Sequence, residues 1–159
     1  MDSFSRELRL LAVVPHPDDE VYLMGGTLAR AAHFGARVSV AFCTRGEAGV
    51  DRSGECKAGP ALAEKRTAEA CAASEALGLG EPHFLDLGAD GALSVEKEES
   101  ALGRLGRFLD EQNPQVVISL ARNGVYGHRD HICCTRWLEQ VMASRAESAR
   151  LLLADAPHG

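Results

Sequence analysis

With 159 residues, 45% of them hydrophobic and only 5% aromatic, the chain suits one domain, residues 1–159, with a core of mostly Ala, Leu and Val. A formal net charge of −6, without a block of consecutive cations, excludes a general nucleic-acid binder. No apolar run approaches the ~18 residues of a membrane span and no secretory signal is recognisable, so the five cysteines are expected to be reduced thiols in a cytoplasmic protein that contacts no membrane.

Leu8 to Val14 is a nearly continuous apolar run stopped by Pro15 and is predicted as a strand buried on both faces. Leu28, Ala31 and Ala32 stand at helical spacing and predict a helix from Gly25 to Phe34, with Gly35 as its stop. Val38, Val40 and Phe42 alternate within a second strand, Ala36 to Cys43. Pro60 then opens an Ala/Glu helix that ends at Gly78. His83 to Leu87 is a third strand, Val95 to Glu111 a helix closed by Asn113-Pro114, and Gln115 to Ala121 a fourth strand. A loop leads to a helix from about Asp130 to Arg145, and Leu151 to Leu153 makes a fifth short strand. Strands alternating with helices predict a Rossmann-like α/β fold: a parallel sheet in the order 3-2-1-4-5, covered by helices on both faces in three layers.

Ligands of such sheets lie beyond the carboxyl ends of the strands, where strand order reverses. Strand one runs out into His16-Pro17-Asp18-Asp19-Glu20, and strand four into Tyr126-Gly127-His128-Arg129-Asp130-His131. In the order 3-2-1-4-5 these two loops face each other. Two imidazoles and a carboxylate with an open position are the ligand set of a hydrolytic zinc centre. Pro17 keeps His16 extended, so Asp18 and Asp19 point in different directions, one able to bind metal and the other to act as a base. Glu20 reads as an acidic first-turn residue favoured by the helix dipole. His128 and His131, at i and i+3, share one face of a helix's first turn. Cys133 and Cys134 follow His131, but adjacent helical residues diverge by about 100°, so they are read as small buried hydrophobes. Gly25-Gly26 does not form the Gly-x-Gly-x-x-Gly of a nucleotide loop.

Pro-His-Pro-Asp-Asp-Glu, the following Gly-Gly-Thr-Leu-Ala, Thr44-Arg45-Gly46-Glu47-Ala48-Gly49 and Gly-His-x-Asp-His together resemble the PIG-L/LmbE-like zinc-dependent N-acetylglucosaminyl deacetylases, over Leu10 to Trp137. The resemblance implies zinc on His16, Asp19 and His131, with Fe2+ or another divalent ion as the alternative metal. It implies Asp18 as general base and His128 as general acid or oxyanion-stabilising group, its tautomer held by Asp130. Tyr126 would polarise the substrate carbonyl, and Arg66 and Asp90 would bind the sugar conjugate. The implied substrate is a small N-acetylated amino sugar; an amidase on a larger thiol or sugar conjugate, and a non-catalytic zinc- or sugar-binding module, are the other readings. Self-association is left open. The chain departs from the family pattern in Arg129, where many members have proline, and in Val21-Tyr22, where small residues are common. It also ends soon after the fifth strand, where relatives continue for tens of residues, so part of the substrate cleft is expected to be short or missing.

Overall fold

A computed structural model describes residues 8–93, 98–145 and 149–156. The five strands are β1 (Arg9–Val14), β2 (Arg37–Phe42), β3 (His83–Phe84), β4 (Val116–Leu120) and β5 (Arg150–Ala154). The helices are α1 (Asp19–His33), α2 (Pro60–Ala76), α3 (Glu98–Gln112), the single turn α4 (Gly124–Gly127) and α5 (Arg129–Ala143). The strands form one sheet in the order β3-β2-β1-β4-β5, and every neighbouring pair is parallel. The predicted architecture and strand order are those observed.

The period-two alternation of β1 divides the core. Leu11 and Val13 join a cluster that includes Leu105 and Leu109 of α3 and Trp137 and Leu138 of α5. Leu10, Ala12 and Val14 join a second cluster with Met24, Leu28 and Ala31 of α1 and Ala70 of α2. Because β1 is apolar on both faces, it sits at the centre of the sheet. The two loops beyond β1 and β4 therefore leave from adjacent strands at the same end.

Most elements lie within one or two residues of their predicted bounds; α1 and β3 depart further, and the start of α3 is not described. α1 begins at Asp19, six positions before Gly25: burial of Met24 and Leu28 on the sheet outweighs the poor helix propensity of Gly25-Gly26. β3 pairs only through Phe84, although the Leu85 and Leu87 N–H groups still donate to Phe42 and Cys43. Asp86, at φ 46, breaks the ladder between them. α3 is described from Glu98; the predicted start at Val95 lies outside the described residues. No helix among the described residues is long and apolar enough to cross a membrane.

Candidate active site

Beyond β1, the Pro15 carbonyl accepts the Thr44 N–H and hydroxyl, tying the end of β1 to the end of β2. His16 follows, its backbone restricted by Pro17, and its N–H donates to Asp19 Oδ2 at 3.1 Å. Asp19 begins α1, while His131 lies on the first turn of α5 beyond β4. The two loops meet here. His16 Nδ1 is 3.3 Å from Asp19 Oδ2, and His131 Nε2 is 3.3 Å from Asp19 Oδ1. One donor atom from each of His16, Asp19 and His131 falls within 4.8 Å of the others.

His131 is fully buried, and neither ring nitrogen has a hydrogen-bond partner. Orphaned imidazole nitrogens in a protein interior are costly. Two histidines and a carboxylate at this separation fit a divalent cation with an open coordination position, which would satisfy one of the two His131 ring nitrogens. A second grouping, His16, His128 and Asp130, meets the same spacing. In it, however, Asp130 is already occupied. Its Oδ2 lies 3.1 Å from His16 Nε2 and accepts the Gly91 N–H at 2.7 Å, and its Oδ1 accepts the Leu93 N–H at 3.2 Å.

That arrangement changes the expected partner of Asp130. Its carboxylate faces His16 instead of His128, whose Nδ1 meets the backbone N–H of Asp130 at 3.2 Å. Asp90, expected on the sugar, is likewise drawn inward. Its Oδ1 lies 3.0 Å from His16 Nε2 and its Oδ2 accepts the Ala48 N–H at 2.7 Å. His16 thus turns one nitrogen toward Asp19 and the other toward two carboxylates, the arrangement that orients metal-binding histidines. Burial lowers the His16 pKa, but hydrogen bonds to Asp130, Asp19 and Asp90 outweigh it and push the imidazole up to about 11. Burial alone would raise the pKa of Asp19; the facing His131 and His16 hold it well below the usual carboxylate range.

Asp18 leads away from this floor. Its Oδ2 accepts from Arg66 Nη2 at 2.9 Å, and Arg66 Nη1 also donates to the Gly46 carbonyl at 3.3 Å. At φ 70 Gly46 holds a conformation that favours glycine, and an added Cβ would displace the Arg66 guanidinium from its place beside Asp18. Burial raises the Asp18 pKa and the charge of Asp19 raises it further, with Arg66 opposing. Tyr126 and His128 form the rim, their ring centroids 5.3 and 4.6 Å from that of His131. Burial, then the neighbouring His131 and His16 charges, lower the His128 pKa, while burial raises that of the Tyr126 hydroxyl.

The structure therefore brings His16, Asp18, Asp19, Tyr126, His128 and His131 to one bowl, with Asp90 and Asp130 behind His16 and Arg66 beside Asp18. Sequence reasoning missed α4, in which the Asn123 side chain accepts the Val125 N–H at 2.8 Å. Asn123-Gly124 followed by Gly127, both glycines at positive φ, was its available signal.

A family profile described as PIG-L: GlcNAc-PI de-N-acetylase matches residues 11–142. Over 145 residues the chain is 40% identical to the 1D-myo-inositol 2-acetamido-2-deoxy-alpha-D-glucopyranoside deacetylase of Rhodococcus erythropolis, covering 78% of this chain and 49% of that protein. The chain thus spans about half the length of that relative. Among solved structures, a conserved protein from Thermus thermophilus superposes with a TM-score of 0.75 at 30% identity, covering 96% of this chain and 68% of the other. The N,N'-diacetylchitobiose deacetylase of Pyrococcus horikoshii shares the fold with a TM-score of 0.77 at 24% identity, covering 91% of this chain and 59% of that one.

Proposed function

The chain belongs to the PIG-L family of GlcNAc-PI de-N-acetylases, and we propose that it is a metal-dependent amide hydrolase that removes the acetyl group from an N-acetylglucosaminyl conjugate or related amino sugar. The observation that carries the reading is the convergence of His16, Asp19 and His131 at the buried floor, with both His131 ring nitrogens lacking a hydrogen bond. These three residues would hold zinc. The metal supplies a Lewis acid for the acetyl carbonyl and a lowered pKa for attacking water.

The remaining steps belong to the chain. Asp18 takes the proton of the attacking water; the raised pKa that burial and Asp19 give it makes it a better base than an exposed carboxylate. The Tyr126 hydroxyl, protonated at neutral pH as tyrosines ordinarily are, donates to the oxyanion that develops on the carbonyl. His128 delivers a proton to the departing amine, and its lowered pKa makes it a ready donor once charged. Asp130 and Asp90 orient His16, and Arg66 holds Asp18 and lines a trough of about 300 Å³ beside it, where the rest of the sugar conjugate would lie. Five free cysteines, with Cys43 and Cys134 unbridged although their sulfurs are 3.4 Å apart, suit a reducing cytoplasmic compartment.

The test is acetate release from N-acetylglucosamine and its inositol conjugate by zinc-loaded protein, wild type against Asp18→Asn. The variant is expected to keep stoichiometric zinc and to lose on the order of 10²–10⁴-fold in kcat. Parental turnover by Asp18→Asn would remove Asp18 as the base. Stoichiometric zinc with no acetate released from either compound would leave only a metal-binding module.

A further inference from the structure

Glu20 is 1% exposed, and among the described residues no lysine or arginine pairs with it. An unpaired buried carboxylate is costly, and dipole stabilisation at a helix start does not require burial. Its position is explained by what it holds. Glu20 Oε2 accepts the backbone N–H of Asp18 at 3.0 Å.

Asp18 is the N-cap of α1 with φ 120 and ψ −32, a conformation that residues with a side chain rarely adopt. An aspartate in this position ordinarily folds its carboxylate over the first turn to accept a free backbone N–H. Asp18 makes no such bond. Its carbonyl instead receives the Val21 and Tyr22 N–H groups at 3.0 and 3.1 Å, and its carboxylate turns to Arg66. Glu20 supplies the acidic half of a capping box, reaching back to the N-cap N–H from the second helical position.

We propose that Glu20 is a positioning residue: its buried carboxylate clamps the Asp18 backbone at positive φ and so keeps the Asp18 side chain out of the helix cap and available in the bowl. The inference rests on the reading of Asp18 as the base. Without the clamp, Asp18 relaxes toward an ordinary cap and its carboxylate turns from the reacting water to the first turn of α1. The loss is in turnover, since Glu20, although it borders the trough beside Asp18, is 1% exposed and its carboxylate binds the Asp18 N–H rather than a metal-ligand atom.

The test is a double-mutant cycle on zinc-loaded protein, reading kcat, KM and zinc content. Glu20→Met removes the acceptor, fills a similar volume and deletes a buried charge, which offsets the lost bond to the Asp18 N–H. Glu20→Ala repeats the measurement with the volume removed. Each is expected to lower kcat about 10- to 100-fold, with KM within about twofold and zinc stoichiometric. Glu20→Gln, which retains an acceptor oxygen, keeps kcat within about threefold of wild type. In an Asp18→Asn background, Glu20→Met adds no further loss.

Glu20→Met at the parental rate would overturn the proposal, as would Glu20→Gln as impaired as Glu20→Met, or the same Glu20→Met penalty in the Asp18→Asn background. Each of these leaves Asp18 as the base if Asp18→Asn alone is impaired. Parental turnover by Asp18→Asn alone would remove the base assignment itself.

Discussion

His131 and Tyr126 stand five residues apart and their ring centroids are 5.3 Å apart, yet His131 is fully buried and Tyr126 is 72% exposed. The floor of the bowl is determined several times over. His16 alone is fixed by its backbone bond to Asp19 and by two carboxylates on its far nitrogen. The rim is held by little: Tyr126 is carried on a single turn whose Val125 stands at φ 67, and Tyr22 is 84% exposed. Metal coordination needs atoms fixed to within a few tenths of an ångström, whereas a substrate that enters and leaves needs walls that yield. The difference predicts large effects on metal and turnover at the floor and smaller, substrate-dependent effects at the rim.

The floor breaks most completely at Asp19. Asp19→Ala removes the carboxylate that faces both His16 and His131. It is expected to abolish stoichiometric zinc binding and to lower acetate release by at least about 10³-fold, as metal analysis and an activity assay would show. Asp130→Asn disturbs the same floor from behind: it removes the charge facing His16, and its single amide oxygen can serve only one of the Gly91 and Leu93 N–H groups, which bind different oxygens of Asp130. Zinc affinity is expected to fall about 10- to 100-fold, with turnover at saturating zinc largely kept; unchanged affinity in a chelator competition would make the Asp130 contact incidental.

Protons compete for the same floor. The His16 pKa is raised from 6.5 to about 11, so its contribution to the stability of the metal-free protein is complete below pH 6.5 and is lost as pH rises through 11. A metal requires the neutral ring. Between those limits zinc binding must therefore displace a proton from His16, and zinc affinity is expected to rise about tenfold per pH unit. Titration calorimetry at about pH 8 in two buffers of different ionisation enthalpy would show the released proton as a buffer-dependent heat.

The sheet order was legible because β1 is apolar on both faces while β2 alternates, and that order brought the two histidine loops together. Less legible were contacts between loops far apart in sequence. Nothing near Asp130 in the chain announces that Gly91 and Leu93 will donate to its carboxylate, so the local sequence points to the nearest histidine, His128, as its partner. Nor does a sequence display backbone strain. Asp18 at φ 120 and Asp86 at φ 46 decide where α1 starts and where β3 stops, and both are aspartates, among the residues that tolerate such angles best. In sequence Glu20 is indistinguishable from a dipole-favoured surface acid, because its burial and its bond to the Asp18 N–H are set by the fold.

The smallest expected effect lies on the rim and is specific to this chain. Tyr22 borders a trough of about 300 Å³ that opens beside Asp18 and is lined by Val21, Arg66, Glu69 and Ala73. An exposed aromatic face next to a guanidinium and a carboxylate suits a hydroxyl-bearing ring beyond the acetamido sugar. Tyr22→Ala is therefore expected to raise KM for the inositol conjugate about 2- to 10-fold while KM for N-acetylglucosamine, kcat for both and zinc content stay within about twofold. Because the side chain is exposed, thermal stability should be unaltered within about 0.5 kcal/mol. Equal KM changes for the two substrates would show that the trough does not receive the conjugate; a loss of zinc would show that the rim and floor are not separable at α1.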